Sequence, residues 1–174
     1  MDVICREDLD DLFMREALSE GLRAFEEGEV PVGAVVVLDG RVIARAHNRC
    51  ESLQDPTAHA EILAIRDAAR HLGNYRLLGS EFFVTVEPCL MCAGALHLAR
   101  PARVVYGCGD AKAGALGSQY RIHLDGRLNH CLVVRGGVRE QECRALMQSF
   151  FQRLRDPSPN EWVGWDRGEM AESG

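Results

Sequence analysis

His59-Ala60-Glu61 and Pro88-Cys89-Leu90-Met91-Cys92 are the two stretches that decide the reading of this chain. They supply three metal ligands of borderline or soft character, His59, Cys89 and Cys92, and one carboxylate, Glu61, two residues beyond the first ligand. Three protein ligands leave one position of a tetrahedral Zn²⁺ open, as in a catalytic site, whereas a structural zinc has all four positions filled by protein. No further residue has the spacing of a fourth ligand: His47, His71, His97, His123 and His130 stand alone in the sequence. One Zn²⁺ per subunit is therefore expected, with its open position holding a water made acidic by the metal. Glu61 would take that water's remaining proton and hand it to a ring nitrogen and then to a leaving amine. Replacement of an exocyclic amine by hydroxide in this way is hydrolytic deamination.

Outward from these stretches, the pattern alternates strands and helices. Leu9, Leu12, Phe13, Leu18, Leu22 and Phe25 recur at helical spacing and predict an amphipathic first helix ending near Glu27. Val32 to Leu38 and Arg41 to Ala46 read as an antiparallel hairpin, with Asp39-Gly40 as its two-residue turn. Asp55-Pro56-Thr57 predicts the start of a second helix, placing His59 in its first turn, with Gly73 just past its end. Phe82 to Val86 is a third strand, Pro88 to about Ala99 a helix with both cysteines in its first turn, and Arg103 to Tyr106 a fourth strand. A strand–helix–strand unit with so short a crossover pairs its strands in parallel. A glycine-rich loop over 107–130, a fifth strand over Cys131 to Val134 and a helix from Val138 to Leu154 complete the pattern. Two helix N-termini thus approach one site, and their partial positive charge favours the thiolate forms that bind metal.

The bulk composition bounds the alternatives. At 174 residues the chain suits one deaminase domain, residues 1–155, followed by an acidic and mobile tail over 156–174. The absence of a long apolar run argues for a soluble, cytoplasmic protein with no membrane partner. The odd cysteine count, seven, and the lack of framework spacing argue for reduced thiols. Net charge is −6, but it is unevenly spread. Residues 1–29 hold ten acids against three arginines, while residues 30–155 hold sixteen bases against eleven acids, and fifteen of those bases are Arg. That middle segment permits a polyanion partner despite the acidic total.

The H-x-E and P-C-x-x-C pair resembles the signature of the zinc-dependent nucleobase deaminases, the cytidine/deoxycytidylate deaminase superfamily. Further stretches narrow the resemblance: Glu29 to Val35, Asn48-Arg49, Asp55-Pro56-Thr57-Ala58-His59-Ala60-Glu61, Asn74 to Leu77, Val86 to Ala95, Arg103 to Gly107, Asp110-Ala111-Lys112, Gly114-Ala115, Gly117-Ser118 and Asn129-His130. Over roughly residues 8–155 they are similar, in order and spacing, to the bacterial tRNA-specific adenosine deaminases (TadA-type).

The resemblance implies an α/β fold: a three-layer α/β/α, cytidine-deaminase-like arrangement around a central mixed five-stranded sheet, in a homodimer. It implies conversion of adenosine to inosine at the wobble position of a tRNA anticodon, mainly in an arginine tRNA, with the target base flipped into the zinc pocket. Asn48 would hydrogen-bond the base or its ribose, and main-chain N–H groups near Ala60 and Cys89 would complete the pocket. Asp110 and Lys112 would contact flanking nucleotides, Asp110 by accepting from a 2′-hydroxyl. Phe151, in the Phe150-Phe151 pair of the last helix, would stack on a base or join the core. The chain departs from many members of the family after that pair: Gln152-Arg153-Leu154-Arg155 gives way to acids where a basic segment is usual. Two other functions share the motif, a free-base deaminase acting on guanine or cytosine and a non-catalytic RNA-binding partner subunit. The second is expected to lack the shuttle carboxylate, which is present here as Glu61.

Overall fold

A computed structural model describes residues 5–156. All of the expected tail except Asp156, including Trp162 and Trp165, lies outside the described residues. In chain order the elements are α1 (Arg6–Glu26), β1 (Gly33–Leu38), β2 (Arg41–His47), α2 (Cys50–Leu53), α3 (Ala60–Leu72), β3 (Glu81–Val86), α4 (Leu90–Ala99), β4 (Arg103–Cys108), β5 (Val133–Arg135) and α5 (Glu140–Arg155). One mixed sheet has the order β2-β1-β3-β4-β5. β1 is antiparallel to both β2 and β3, while β3, β4 and β5 are parallel. Helices α1 and α5 pack together on one face, and α3 and α4 together on the other. This is the three-layer α/β/α arrangement around a mixed five-stranded sheet that the sequence implied.

The sheet is hydrophobic on both faces because both are covered. Val35, Val36, Phe82, Phe83, Val84, Val104 and Val105 are all fully buried. The β1–β2 turn is made at Asp39 and Gly40, both at positive φ (50° and 73°). That geometry is the one a two-residue hairpin turn needs to match the twist of its strands.

The buried face of α1 differs from the expected one. Leu12 and Leu22 face solvent, and the inward stripe is Phe13, Met14, Ala17, Leu18, Gly21 and Ala24. Small residues set this face because the helix lies directly on the start of β1. A Cβ added at Gly33 would overlap the Ala17 carbonyl oxygen and the Gly21 nitrogen. Phe13 then stacks at a tilt on Phe83, ring centroids 5.4 Å apart.

Other boundaries shift for local reasons. α3 begins at Ala60, not at 55–57, because Asp55 Oδ1 accepts from the Thr57 N–H (2.8 Å) and hydroxyl (2.7 Å) and closes a turn there. The four-residue α2 was not expected; its Glu51 and Ser52 N–H groups donate to the buried Glu29 carboxylate at 3.1 and 2.8 Å. β4 runs two residues longer than expected, and β5 is displaced to Val133–Arg135. The 107–130 loop contains one 3₁₀ turn, Ile122–Leu124. Among the described residues no helix is long and apolar enough to cross a membrane.

A buried ionic network ties α1 to the far edge of the sheet. Arg103 is bracketed by Asp10 of α1 and Glu81 of β3, and Arg135 of β5 donates to Asp10 at 2.7 Å. Asp10 is wholly buried. Removing one partner from a buried pair costs about 3–5 kcal/mol, whereas an exposed pair is worth under about 1 kcal/mol. Asp10→Ala should therefore lower the unfolding free energy by about 3 kcal/mol in a urea titration. Asp67→Ala, which breaks the exposed Arg70 pair, should cost under about 1 kcal/mol; equal losses would remove the network from the stability argument.

Candidate metal centre and active site

Because β2 and β3 are each antiparallel to β1, they run the same way and end at the same edge of the sheet. α3 follows β2 and α4 follows β3, so both helices start at that edge and lie side by side. His59 is the N-cap residue of α3 and Cys89 the N-cap residue of α4, each in extended conformation. Their carbonyls accept the first helical hydrogen bonds, from Leu63 (3.0 Å) and Ala93 (2.8 Å). Cys92 sits one turn into α4, on the side of Cys89. His59 and Cys89, expected in the first turns, stand instead at the caps, because α3 starts at Ala60 and α4 at Leu90; Cys92 keeps its first-turn place.

The three donor atoms form one cluster. His59 Nδ1 lies 3.8 Å from Cys89 Sγ and 3.5 Å from Cys92 Sγ. All three donors lie within 4.8 Å of one another. For bonds of about 2.3 Å to sulfur and about 2.05 Å to nitrogen, tetrahedral geometry puts N and S about 3.6 Å apart. The donor set fits Zn²⁺ as it stands, with His59 and Cys89 half-buried and Cys92 buried. Among the described residues no other group of three such ligands occurs.

Electrostatics at the site follow from this packing. The Cys89 thiol is held far down, to about 4, by the Cys92 Sγ–H that donates to it and by His59, against the opposing effect of burial. Cys92 is pushed up by the same shared proton and by burial. Glu61 is buried beside Cys92 Sγ, outside the three-donor cluster. Burial pushes its carboxyl up to about 7.

The remaining expected residues divide into two groups. Asn48, at the end of β2, is buried, and its Oδ1 accepts the Ala60 N–H at 2.8 Å. It therefore joins the site by capping α3, and the Ala60 N–H is occupied within the protein. Asp110 lies across from α4 in the loop after β4; its Oδ1 accepts from the N–H groups of Lys112 (2.8 Å) and Ala113 (3.2 Å). Lys112 is exposed beside it. Phe150 is buried against Phe25, ring centroids 5.9 Å apart, and Phe151 stands outside it, largely exposed.

Two buried acids that shape the site were not singled out from the sequence, Glu29 and Glu87. Glu29 holds the segment after Asn48 through α2. Glu87 holds the loop after β4, accepting main-chain N–H groups of Asp110, Leu116 and Ser118. The signal for Glu87 was an acid between an apolar strand and Pro88, facing a glycine-rich segment rich in unpaired N–H groups.

Comparison with known proteins accords with this geometry. The family pattern for the cytidine and deoxycytidylate deaminase zinc-binding region matches residues 7–108. The tRNA-specific adenosine deaminase of Bacillus subtilis (strain 168) is 47% identical over 146 residues, 84% of this chain and 91% of the relative. That of Haemophilus influenzae is 45% identical over 152 residues, covering 87% and 88%. A structure solved in studies of A-to-I editing by tRNA:A34 deaminases at the wobble position of transfer RNA is 48% identical. It superposes with a TM-score of 0.75, over 78% of this chain and 98% of that one. Guanine deaminase from Bacillus subtilis is 36% identical with a TM-score of 0.56, over 66% and 73%.

The site predicts a metal-gated pattern of thiol reactivity. In the zinc-loaded protein, Cys89 should resist alkylation; after chelation, its low-lying thiol should label within minutes. Burial pushes the Cys108 and Cys143 thiols up, so both should stay unlabelled in either state. Peptide mass spectrometry reads all three at once, and equal labelling of Cys89 with and without chelator would remove the metal assignment.

Proposed function

The chain belongs to the cytidine and deoxycytidylate deaminase zinc-binding family, and from that premise we propose that it deaminates adenosine to inosine at the wobble position of a tRNA anticodon, mainly in an arginine tRNA. The observation that carries the reaction is the His59, Cys89 and Cys92 donor cluster with a buried carboxyl, Glu61, at its side. The substrate rests on the similarity to tRNA-specific relatives, which spans more of this chain at higher identity than the similarity to guanine deaminase does.

When bound by His59, Cys89 and Cys92, Zn²⁺ supplies a Lewis acid that makes water nucleophilic near neutral pH. Glu61 moves the protons. Its carboxylate accepts one from the attacking water, delivers it to N1 of the adenine ring, and passes the next to the departing amine. A C6–O bond forms, the C6–N6 bond breaks, and ammonia leaves. Burial raises the Glu61 carboxyl above the ordinary glutamate range, the direction that suits a group that must both accept and release a proton.

The other residues bind and orient. Asn48, its Oδ1 committed to Ala60, presents its amide nitrogen as a donor to the base or ribose. Asp110, its Oδ1 committed to the loop, presents Oδ2 to a ribose 2′-hydroxyl, which favours RNA over DNA. Lys112 meets a flanking phosphate, and Phe151 offers an exposed ring to a base. Leu90, Met91 and Leu98 of α4, with Leu124 and Leu128 of the loop beside it, form an exposed apolar surface suited to a second copy in a homodimer. A protein acting on tRNA in this way works in the cytoplasm.

Glu61→Ala should keep the bound zinc and the fold but lose at least about 10²-fold in turnover of an anticodon stem-loop. Turnover of guanine or cytosine by the unaltered protein, with none of the stem-loop, would replace the proposed substrate. Phosphate contacts release counterions, so the stem-loop's Kd should rise steeply with salt. Arg49, Arg66 and Arg121, which make no ion pair among the described residues, are the proposed source of such contacts; a Kd indifferent to salt between about 50 and 200 mM would remove the backbone contribution.

A further inference from the structure

Glu87 is the first residue after β3 and stands two residues before the ligand Cys89. Its side chain is almost wholly buried, yet no cation pairs with it among the described residues. Its carboxylate instead gathers one loop. Oε2 accepts the Asp110 N–H at 3.1 Å, and Oε1 accepts the N–H groups of Leu116 and Ser118, both at 2.9 Å. The Ser118 hydroxyl donates to Oε2 as well. A carboxylate has about four lone-pair positions, and here four donors fill them. These bonds hold the carboxyl below the ordinary glutamate value although burial alone would raise it.

The loop is shaped around that carboxylate. A Cβ at Gly114 would overlap the Glu87 carboxyl, and one at Gly109 would press on the Ser118 hydroxyl. Gly114 also forms an antiparallel bridge with Cys89, and the Ala115 N–H donates to the Pro88 carbonyl at 2.8 Å. The loop from Asp110 to Ser118 is thereby fastened at both ends to Glu87 and along its middle to the segment carrying the metal ligand. Asp110 is fixed twice over, by its own N–H on Glu87 and by its carboxylate over Lys112 and Ala113.

We propose that Glu87 is a positioning residue for substrate binding: it holds the Asp110–Ser118 loop as one wall of the site and never touches the substrate itself. With every acceptor position filled by the loop, it has no lone pair left for a base or a ribose. It acts through Asp110, whose orientation it sets, and so governs how well the substrate binds rather than the proton transfers at Glu61. This inference rests on the tRNA deaminase reading for its substrate, and on the hydrogen bonds alone for its mechanism.

The test uses the zinc-loaded full chain and a tRNA anticodon stem-loop, well below the unfolding midpoint. Glu87→Gln places an amide NH₂ against donors. It should raise KM about tenfold, leave kcat within about twofold and zinc content unchanged, and speed hydrogen exchange at the amides of Asp110, Leu116 and Ser118 at least tenfold. Glu87→Asp, which keeps the charge on a shorter stem, should recover part of the KM. Ser118→Ala, which removes one of the four donors, should raise KM two- to threefold. A Glu87→Gln protein with unchanged KM, or one whose loss lies in kcat with loss of zinc, overturns the proposal. If Glu87→Gln fails to fold, Ser118→Ala decides in its place, and an unchanged KM there overturns it equally. A zinc-loaded wild type that leaves the stem-loop unconverted would sink the substrate reading instead; the exchange rates, which need no substrate, then decide whether Glu87 holds the loop.

Discussion

Two helix N-termini meeting at one edge of the sheet are the constraint on which the rest of this structure depends. A helix N-terminus is electropositive and leaves its first N–H groups without partners inside the helix. Here each terminus places a candidate metal ligand at its cap, His59 on α3 and Cys89 on α4. The shared edge exists because β2 and β3 both run antiparallel to β1. Reverse either pairing and the two ligand stretches would open at opposite ends of the sheet. The close approach of α1 serves the same end: Gly33 against Ala17 and Gly21 lets α1 lie close on β1, whose pairings set the direction of the two strands that precede the ligand-bearing helices.

Around that edge, buried acids do for the loops what helices and strands do for the elements. Glu29 and Glu87 accept main-chain N–H groups that have no other partner, and so convert irregular segments into fixed walls of the site. Leaving such groups unpaired away from water would cost about 1–3 kcal/mol each. Asn48 performs the same service for the first N–H of α3. The positions of His59 and Glu61 thus depend on residues that hold the backbone around them.

Charge is arranged by the same logic. Several acids of the strongly acidic N-terminal segment are consumed internally: Asp10 by Arg103 and Arg135, Asp11 by Arg139, Glu16 by Arg45, and Glu20 by Arg23. The arginine excess of the middle segment is therefore smaller at the surface than the sequence suggests. Arg45, Arg103, Arg135 and Arg139 are committed to α1, and what remains for a polyanion is a subset that includes Arg49, Arg66 and Arg121.

The candidate metal ligands and most of the elements were legible in the residues alone, because both are written in short-range spacing. Cys89 and Cys92 are one helical turn apart, Asp39-Gly40 suits a turn at positive φ, and Phe82 to Val86 is a short run rich in β-branched and aromatic residues. Spacing misjudged α1, where Leu12 and Leu22 look like core but face solvent, and Ala17 and Gly21 join Phe13, Met14 and Leu18 on the packed face, since the closeness of β1 is not a local property. It passed over α2, whose four residues are held by Glu29 from across the fold. That the two ligand stretches meet, that Asn48 caps Ala60, and that Glu87 gathers the loop from Asp110 to Ser118 emerge from the folded chain alone. Each of these depends on hydrogen-bond partners a dozen or more residues apart, and such partners are chosen by strand order and direction, which no single stretch of residues specifies.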